Sequence, residues 1–380
     1  MSEQPSAPAA TALKQSPLHP RHAAAGAKFA EFGGWSMPLE YAAPAEIPDS
    51  KGGVLAEHEA VRTSVAVFDV SHLGKATVTG PGAKDFLNRC LTNDLDRIAP
   101  GQAQYTMLCN EVGGVVDDLI AYLKSDDEVF LIPNAANTAT VVEILAAAAP
   151  EGVVVTDRHD DYAVIAVQGP RADDVVAAAG YPTGHDYMSF VAVGDGSTTV
   201  CRTGYTGERG YELVVPTVEA TAVWDGVMAA GAGYGIRPAG LGARDTLRTE
   251  MGYALHGHEI TPGITPVEAR LGWAVGWRKP EFVGRDALLA EKKAGPARTA
   301  RGLVAQGRGI PRAGMVVVDA AGDEIGTVTS GTFSPTRKQG IALALVDADH
   351  TEGETVGVQV RNRVEQFVIT KPPFVQTGVR

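Results

Sequence analysis

Cysteine is scarce in this 380-residue chain, which has only Cys90, Cys109 and Cys201 and no C-x-x-C pair. An odd, scattered set of this kind excludes a disulfide framework and a cysteine zinc site, so we expect reduced, buried thiols. Long apolar runs are also absent. The most apolar helical stretch, Ile144–Ala149, stops at Pro150. Since a span needs roughly 18 or more apolar residues, the sequence predicts no membrane segment.

Positive charge is in short supply as well. The chain has 33 Lys and Arg against 45 Asp and Glu, which gives a net charge of −12. Nucleic-acid binding requires a clustered basic surface that neutralises phosphates, and the sequence shows no such cluster. The first twenty residues lack the apolar core of a secretory signal and the arginines of a mitochondrial presequence. We therefore expect a cytoplasmic protein with a flexible tail over residues 1–17.

Apolar and turn-forming residues are abundant. Hydrophobic residues make up 44% and charged residues 21% of the chain, the balance of a soluble globular protein. Strand-like and helix-like segments alternate up to about residue 280, and a helical segment, Arg285–Ala294, then ends at Gly295. Six short strands separated by turns follow it. This pattern predicts an α+β core over residues 18–285 and a small all-β barrel or sandwich over residues 286–380.

Two adjacent aspartates lie in the strand-like segment GGVVDDLI, residues 113–120. Because side chains alternate along a strand, Asp117 shares a face with Val115 and Leu119, and Asp118 points to the opposite face. An ionised carboxylate in such apolar surroundings needs a partner, or its pKa rises. The alternative is that both aspartates cap a turn at a strand end, and the spacing leaves both interpretations open.

Glu212 lies in an apolar strand after the glycine-rich stretch GYTGERG. A carboxylate can bind a pair of N–H donors, such as those of an aminopyrimidine; the alternative is an edge-strand glutamate that faces water. Arg244 and Arg248 are four residues apart on one helical face. That face can receive a carboxylate-bearing ligand or can be a solvated side paired with neighbouring acids such as Asp245 or Glu250.

The histidines do not indicate a metal site. His256 and His258 are two residues apart, but no third ligand of metal spacing accompanies them. His72 is expected to be a hydrogen-bonded structural residue. The sequence also has no P-loop, no G-x-S-x-G, no H-E-x-x-H and no dinucleotide fingerprint. These residues alone name no reaction.

Eight motifs, taken together and in order, resemble those of the T-protein (aminomethyltransferase) family of the glycine cleavage system. They are EFGGWSMPLEY (31–41), HEAVRTSVAVFDVSHLG (58–74), GGVVDDLI (113–120), QGP (168–170), GYTGERGYE (204–212), GLGARDTLR (240–248), TSGTFSPT (329–336) and ITKPPFV (369–375). The resemblance extends from about residue 16 to residue 377. It implies a two-lobed folate-binding core of antiparallel sheets with helices, covered by a C-terminal β-barrel.

The resemblance also implies an activity. The family passes the methylene carbon from the aminomethyl-lipoyl group of H-protein to tetrahydrofolate, releases ammonia and forms 5,10-methylenetetrahydrofolate. Tetrahydrofolate is then a substrate, the lipoylated H-protein is a partner, and no metal is expected. Two alternatives remain, a tetrahydrofolate-dependent demethylase of a small methylated compound and a non-catalytic folate-binding protein. The latter type carries a cysteine in its glycine motif, whereas this chain reads GYTGERG.

Five site residues follow from the resemblance. Asp117 matches the catalytic aspartate beside the reacting nitrogens of the folate, and Glu212 matches the glutamate that binds the pterin. Arg244 matches a substrate-binding arginine, and Tyr105 matches a tyrosine near the pterin. Leu73 stands where relatives often have methionine, and it is expected to form part of the pocket wall.

One family feature has no counterpart in the sequence. Relatives of the mitochondrial type place a substrate-contacting tyrosine shortly after the KPPFV-like motif. Here the chain reads Val379–Arg380 in that region, without a tyrosine. The resemblance therefore assigns no residue to that contact.

Overall fold

The computed structural model describes residues 12–43 and 51–379. Strands β1 to β20 span, in chain order, Lys14–Gln15, Ala27–Phe32, Trp35–Tyr41, Ala66–Asp69, Ala76–Thr79, Gln102–Cys109, Val115–Ser125, Glu128–Ile132, Val154–Asp157, Tyr162–Gln168, Phe190–Val193, Thr198–Cys201, Gly210–Pro216, Arg237–Ala239, Arg298–Ala305, Val316–Val318, Glu324–Ser334, Gln339–Asp347, Thr355–Val360 and Arg363–Thr370. Helices α1 to α8 span His19–Ala24, Val54–Thr63, Ala83–Cys90, Thr138–Ala148, Ala172–Ala178, Ala220–Gly231, Leu241–Met251 and Arg285–Ala294. None of the helices within these ranges is long and apolar enough to cross a bilayer.

Two sheets form the centre of the N-terminal part. One has six strands in the order β11-β12-β13-β10-β4-β14, and the other has five in the order β6-β7-β8-β5-β9. Neighbouring strands are antiparallel, except that β14 runs parallel to β4. A small third sheet has the order β1-β3-β2, in which β1 is parallel to β3.

Strand β10 shows why the six-stranded sheet is buried on both faces. Every residue of its central segment, Ala163–Val167, is apolar and buried. Ile165 belongs to the cluster that includes Val175 of α5 and Trp224 of α6. Ala166, on the other face, belongs to a cluster between the two sheets. A strand without alternating polar residues is typical of a sheet that is covered on both sides.

The two sheets face each other across that shared cluster. It contains Phe68 of the six-stranded sheet, Tyr122 and Phe130 of the five-stranded sheet and Leu247 of α7. The opposite face of the five-stranded sheet packs against α3 and α4 in a separate cluster. The N-terminal part therefore has two lobes whose inner faces meet.

The C-terminal strands close into a barrel with the order β15-β18-β17-β16-β19-β20. Its interior is filled by apolar side chains such as Leu303, Val328, Ala344 and Phe367, as in other small barrels. All six short strands expected from the sequence are present. The predicted fold class, an α+β core with a C-terminal barrel, is confirmed.

Helix α7 ties the core to the barrel through buried charges. The Glu250 carboxylate accepts hydrogen bonds from His58 Nε2 at 2.9 Å, from Arg62 Nη2 at 2.8 Å and from the hydroxyl of Ser334 in the barrel. Burial opposes ionisation of Glu250, but the hydrogen bonds from His58 and Ser334 lower its pKa to about 2. Arg248 donates to Ser330 of the barrel at 2.8 Å. These bonds fix the barrel on the helix.

Residues 14–16 of the predicted tail are part of the fold. Lys14 pairs with Trp35 in the small sheet. Ser16 donates to the carboxylate of Asp69, which also accepts from His22 Nε2 at 2.8 Å. A buried carboxylate requires such donors, so the expectation of a tail does not hold for residues 14–16. Residues 1–11 of that prediction lie outside the described residues.

The cysteines are buried free thiols. Burial raises the pKa of Cys90 to about 11 and that of Cys109 to about 12. Both thiols are therefore protonated at neutral pH, and neither is an activated nucleophile.

Candidate active site

The two adjacent aspartates lie near the start of β7 and point to opposite faces of it. Ile120 and Tyr122 of this strand contribute to the cluster between the lobes, whereas Leu119 packs in the outer cluster. Because side chains alternate, Asp118 faces the space between the lobes and Asp117 faces away from it. This arrangement agrees with the alternation expected from the sequence.

Asp117 is fully enclosed by protein. Its Oδ2 accepts the backbone N–H of Asn134 at 3.0 Å, and its Oδ1 accepts the side-chain amides of Asn134 at 2.9 Å and Asn137 at 2.7 Å. The Asn137 amide also contacts His256 Nδ1 at 3.0 Å, and His256 Nε2 lies 3.1 Å from the Val115 carbonyl. Burial and the charge of Asp118 raise the pKa of Asp117 to about 7.

Asp118 is partly exposed toward the space between the lobes. Its Oδ2 accepts the hydroxyl of Tyr105 at 3.0 Å, and its Oδ1 accepts the Asn134 amide at 2.7 Å. Burial raises the pKa of Asp118, and the hydrogen bond from Tyr105 opposes that rise. Burial and the nearby Asp118 charge also raise the pKa of Tyr105, so its hydroxyl stays a proton donor.

The two aspartates thus have different surroundings. The family resemblance implies that Asp117 is the catalytic carboxylate, and a group that contacts a substrate needs an accessible atom. Asp117 has none, and both of its oxygens accept protein donors. Asp118 is partly exposed and faces the space between the lobes, so it is the member of the pair with surface in that space.

Glu212 lies in the opposite sheet, on the interior strand β13 between β12 and β10. This position rules out the edge-strand alternative. Its Oε2 accepts a hydrogen bond from the hydroxyl of Thr203. The oxygen of that hydroxyl lies 3.3 Å from the hydroxyl oxygen of Tyr122, which belongs to the other lobe. Burial raises the pKa of Glu212, while the Thr203 hydrogen bond and the charge of Arg244 lower it. Within the described ranges, no donor reaches Oε1 of Glu212.

The two arginines of α7 have different surroundings. Arg248 is buried and donates to Glu259 at 2.9 Å and to Ser330 at 2.8 Å. The Arg244 guanidinium lies over the ring of Tyr205, 4.4 Å from its centroid. It has no ion pair or hydrogen bond to any residue that the structure describes. Arg248 is thus a structural residue, and Arg244 has donors to offer to a ligand.

Leu73 and His72 border the same space. Leu73 is partly buried and packs against the cluster between the lobes, which fits a pocket wall. The ring of His72 makes no hydrogen bond to the described residues, and its Nδ1 is buried without a partner. The hydrogen-bonded structural role expected for this ring is therefore not found. Burial and the charge of Arg244 lower the pKa of His72 to about 3, so the ring is neutral.

The site residues interact electrostatically across the cleft. The charge of Arg244 acts on Glu212, and the charge of Asp118 acts on Tyr205, which stacks with Arg244. The space is thus lined by two partly exposed carboxylate side chains, Asp118 and Glu212, and by the Arg244 guanidinium, which is unpaired among the described residues. Such a set suits a ligand that presents a pair of N–H donors at one end and a reacting amine at the other. Across residues 12–43 and 51–379, no group of three or more acidic, histidine or cysteine side chains has the geometry to hold a metal ion.

Sequence reasoning missed the asparagines that support the aspartates. Asn134 and Asn137 follow strand β8, 17 and 20 residues after Asp117. The available signal was the need of two adjacent buried carboxylates for donors, combined with the PNAAN turn at the end of an apolar strand. Tyr205 lies inside the glycine motif and was overlooked there.

Two family models match the chain. The GCVT N-terminal domain matches residues 18–279, and the glycine cleavage T-protein C-terminal barrel domain matches residues 298–376. The chain belongs to the glycine cleavage T-protein family. The family predicted from the eight motifs is thereby confirmed.

Known relatives of this T-protein family member match its sequence and structure over nearly its whole length. An aminomethyltransferase of Frankia alni is 60% identical over 370 residues, which are 97% of this chain and 99% of the relative. One of Mycobacterium avium is 57% identical over 373 residues, 97% of this chain and 98% of the relative. The crystal structure of glycine cleavage system aminomethyltransferase T from Bartonella henselae has a TM-score of 0.89 at 36% identity and covers 96% of this chain and 98% of that one. These relatives support the predicted enzyme class.

Proposed function

We propose that this chain is the aminomethyltransferase of the glycine cleavage system. It transfers the methylene carbon from the aminomethyl-lipoyl group of H-protein to tetrahydrofolate, with release of ammonia. The observation that carries this proposal is that two partly exposed carboxylates, Asp118 and Glu212, lie around the same space as the Arg244 guanidinium, which is unpaired among the described residues. The relatives named aminomethyltransferase, which match nearly the full chain, support the proposal.

Glu212 is the proposed anchor of the pterin. The amino-pyrimidine edge of a pterin presents two parallel N–H donors, and a carboxylate accepts such a pair in bidentate geometry. Thr203 occupies one lone pair of Oε2 and fixes the orientation of the carboxylate, which leaves lone pairs on both oxygens. Leu73 and Tyr105 contribute to the walls around the ring system.

Asp118 is the proposed carboxylate beside the reacting atoms. As the C–N bond to the leaving ammonia breaks, the methylene carbon gains positive character until one folate amine attacks it. The second folate amine then displaces the lipoyl sulfur, which leaves as the thiol of the dihydrolipoyl group. A fixed carboxylate stabilises the positive charge on the methylene carbon and orients the attacking amine. Tyr105 and Asn134 each donate to one oxygen of Asp118 and hold it in place.

Asp117, the aspartate to which the resemblance assigned catalysis, is proposed to act on Asp118 through Asn134. The Asn134 amide contacts both carboxylates, so the position of Asp118 depends on Asp117. Arg244 is proposed to bind the substrate, since its N–H donors are unpaired among the described residues. We also propose that residues 18–285 and 286–380 are the two structural units of the chain.

A product assay tests the proposed function. The purified chain is incubated with aminomethyl-loaded H-protein and tetrahydrofolate, and methylenetetrahydrofolate and ammonia are quantified. One ammonia per methylenetetrahydrofolate is expected, and both depend on the H-protein. Methyltetrahydrofolate from a small methylated donor, without ammonia, would identify a demethylase instead. Folate binding without any product would identify a non-catalytic binder.

A further inference from the structure

The segment that follows helix α7 carries two histidines to different parts of the molecule. The first, His256, begins a closed turn and pairs with the last residue of that turn, Ile260. Ile260 is buried in the cluster that contains Val115 at the start of β7. The second histidine, His258, lies within the turn, and its Nδ1 is 2.8 Å from the Thr329 carbonyl oxygen of the barrel. The turn that carries His256 is therefore anchored to both the core and the barrel.

The hydrogen-bond partners of His256 determine which of its ring nitrogens carries the proton. Its Nε2 lies 3.1 Å from the Val115 carbonyl oxygen, which can only accept, so Nε2–H is the donor. In the neutral ring Nδ1 then has a free lone pair, which accepts the Asn137 amide at 3.0 Å. The same amide nitrogen donates to Asp117 Oδ1 at 2.7 Å. His256 and Asp117 are thus the two acceptors of one amide group.

This arrangement favours one orientation of the Asn137 side chain. If the amide turned over, its oxygen would lie against the Asp117 carboxylate and against the lone pair of His256 Nδ1, and both contacts would be repulsive. Without an acceptor at position 256, one of the two bonds that orient the amide is lost. Burial raises the pKa of Asp117, and the hydrogen bond from Asn137 opposes that rise. Loss of this bond would therefore favour the neutral form of Asp117.

We propose that His256 is a positioning residue for the transfer reaction, because its neutral ring holds the Asn137 amide on Asp117. The proposal rests on the proposed function, since it takes Asp118 as the carboxylate beside the reacting atoms. Asn134 connects the two aspartates through its amide, which donates to Asp117 Oδ1 at 2.9 Å and to Asp118 Oδ1 at 2.7 Å. A displaced Asp117 therefore changes the position of the donor to Asp118. Such shifts matter because a misplacement of about 1 Å can cost roughly a hundred-fold in rate.

Two substitutions of His256 distinguish its hydrogen bonds from its packing. His256→Gln can keep an acceptor for Asn137 and a donor for the Val115 carbonyl, whereas His256→Phe keeps a ring and loses both bonds. His256→Phe should lower kcat about fivefold and leave KM for tetrahydrofolate within about twofold of wild type, because the reacting carboxylate is displaced and folate binding is not. His256→Gln should recover most of the lost kcat. His350→Phe, at a barrel histidine that pairs with Glu354, is the matched control and should turn over like the wild type.

A double variant tests the route by which His256 acts. If the effect passes through Asp117, His256→Phe combined with Asp117→Asn should lower kcat no further than Asp117→Asn alone. Multiplied losses in the double variant would overturn the proposal. A folded His256→Phe enzyme with wild-type kcat would overturn it as well, even with a lower melting temperature, because His256 would then be a structural residue only. A His256→Gln enzyme as slow as His256→Phe would also contradict it.

The tautomer of His256 is a readout that does not depend on activity. The wild-type protein is labelled with ¹⁵N-histidine, and the His256 signals are assigned by their loss in His256→Gln. NMR at neutral pH should show a protonated Nε2 and an unprotonated Nδ1. A protonated Nδ1 would overturn the proposal even if His256→Phe does not fold. Absence of product from the wild type with aminomethyl-loaded H-protein would instead contradict the proposed function, and the NMR result would still report on His256.

Discussion

The carboxylates of Asp117 and Asp118 share one donor, the side-chain amide of Asn134, which lies 2.9 Å from Asp117 Oδ1 and 2.7 Å from Asp118 Oδ1. The two side chains leave β7 on opposite faces, yet they meet at this amide. One of them is enclosed and the other is accessible. We therefore expect these two sequence neighbours to have different roles, which substitutions can distinguish.

Asp118→Asn is expected to reduce kcat by roughly a hundred-fold or more, because one electrostatic partner of the transition state is lost. Folate affinity should change little, since the effect belongs to the transition state. Asp117→Asn should reduce kcat by less than about tenfold and should act mainly on the thermal midpoint. Steady-state kinetics with H-protein as donor, beside thermal melts, check both. Wild-type turnover in Asp118→Asn together with a large loss in Asp117→Asn would return the catalytic assignment to Asp117.

The stability of the protein should depend on pH through Asp117. Its pKa is raised to about 7 in the folded state by burial and by Asp118, against roughly 3.9 in an unfolded chain. The stabilisation from its protonated form is therefore complete below about pH 4 and is lost as the pH rises through about 7. Asp117→Asn should reduce this slope, which denaturant unfolding between pH 4 and pH 8 would show; the part that remains belongs to other buried carboxyls with raised pKa, such as Glu57. Asp349→Asn, an exposed barrel carboxylate, should keep the wild-type slope.

Glu212→Gln is expected to weaken tetrahydrofolate binding by roughly 1–3 kcal/mol, because the amide places a donor against the donors of the pterin. Titration calorimetry measures the change, and Glu219→Gln on the surface is the control. Because Glu212 is on an interior strand, the melting temperature of the Glu212→Gln variant must be recorded alongside its affinity. Unchanged affinity in a folded variant would remove Glu212 from the pterin site.

Glu250→Gln should destabilise the protein by about 3–5 kcal/mol at neutral pH, since it leaves buried His58 without its anion and Arg62 with Glu208 as its one remaining carboxylate partner among the described residues. The pKa of Glu250 is lowered to about 2, so its stabilisation is complete above about pH 4.5 and is lost as the pH falls toward 2. The difference between variant and wild type should therefore shrink in acid. Glu352→Gln, an exposed barrel glutamate, should melt like the wild type, and a constant difference at all pH values would contradict this account.

The sequence was a good guide where alternation and turn residues decide the structure. The barrel strands and the opposite orientations of Asp117 and Asp118 follow from these local patterns. The length of the strands was harder to predict, since the pattern indicates short strands and β17 spans the 11 residues Glu324–Ser334. That length depends on pairing with β18, which is a tertiary contact.

The sequence was a weaker guide to the active-site residues, because the exposure of a side chain depends on which distant segments pack around its strand or helix. Nothing near Asp117 in the sequence shows that Asn134 and Asn137 return to enclose it. The equal spacing of Arg244 and Arg248 likewise gives no sign that Glu259 and Ser330 bind the second arginine and leave the first unpaired. The different surroundings of these similar residues thus come from partners that are distant along the chain.

Helix α7 connects the cleft between the lobes to the C-terminal barrel. Arg244 near one end faces the cleft, and Glu250, six residues further and so about 9 Å along the axis, is bonded to Ser334 of the barrel. Arg248 between them holds Ser330. Because a helix transmits displacement along its axis without stretching, any tilt of the barrel on the core moves the Arg244 guanidinium relative to Glu212. The substrate contact proposed for Arg244 therefore depends on how the barrel packs against the core.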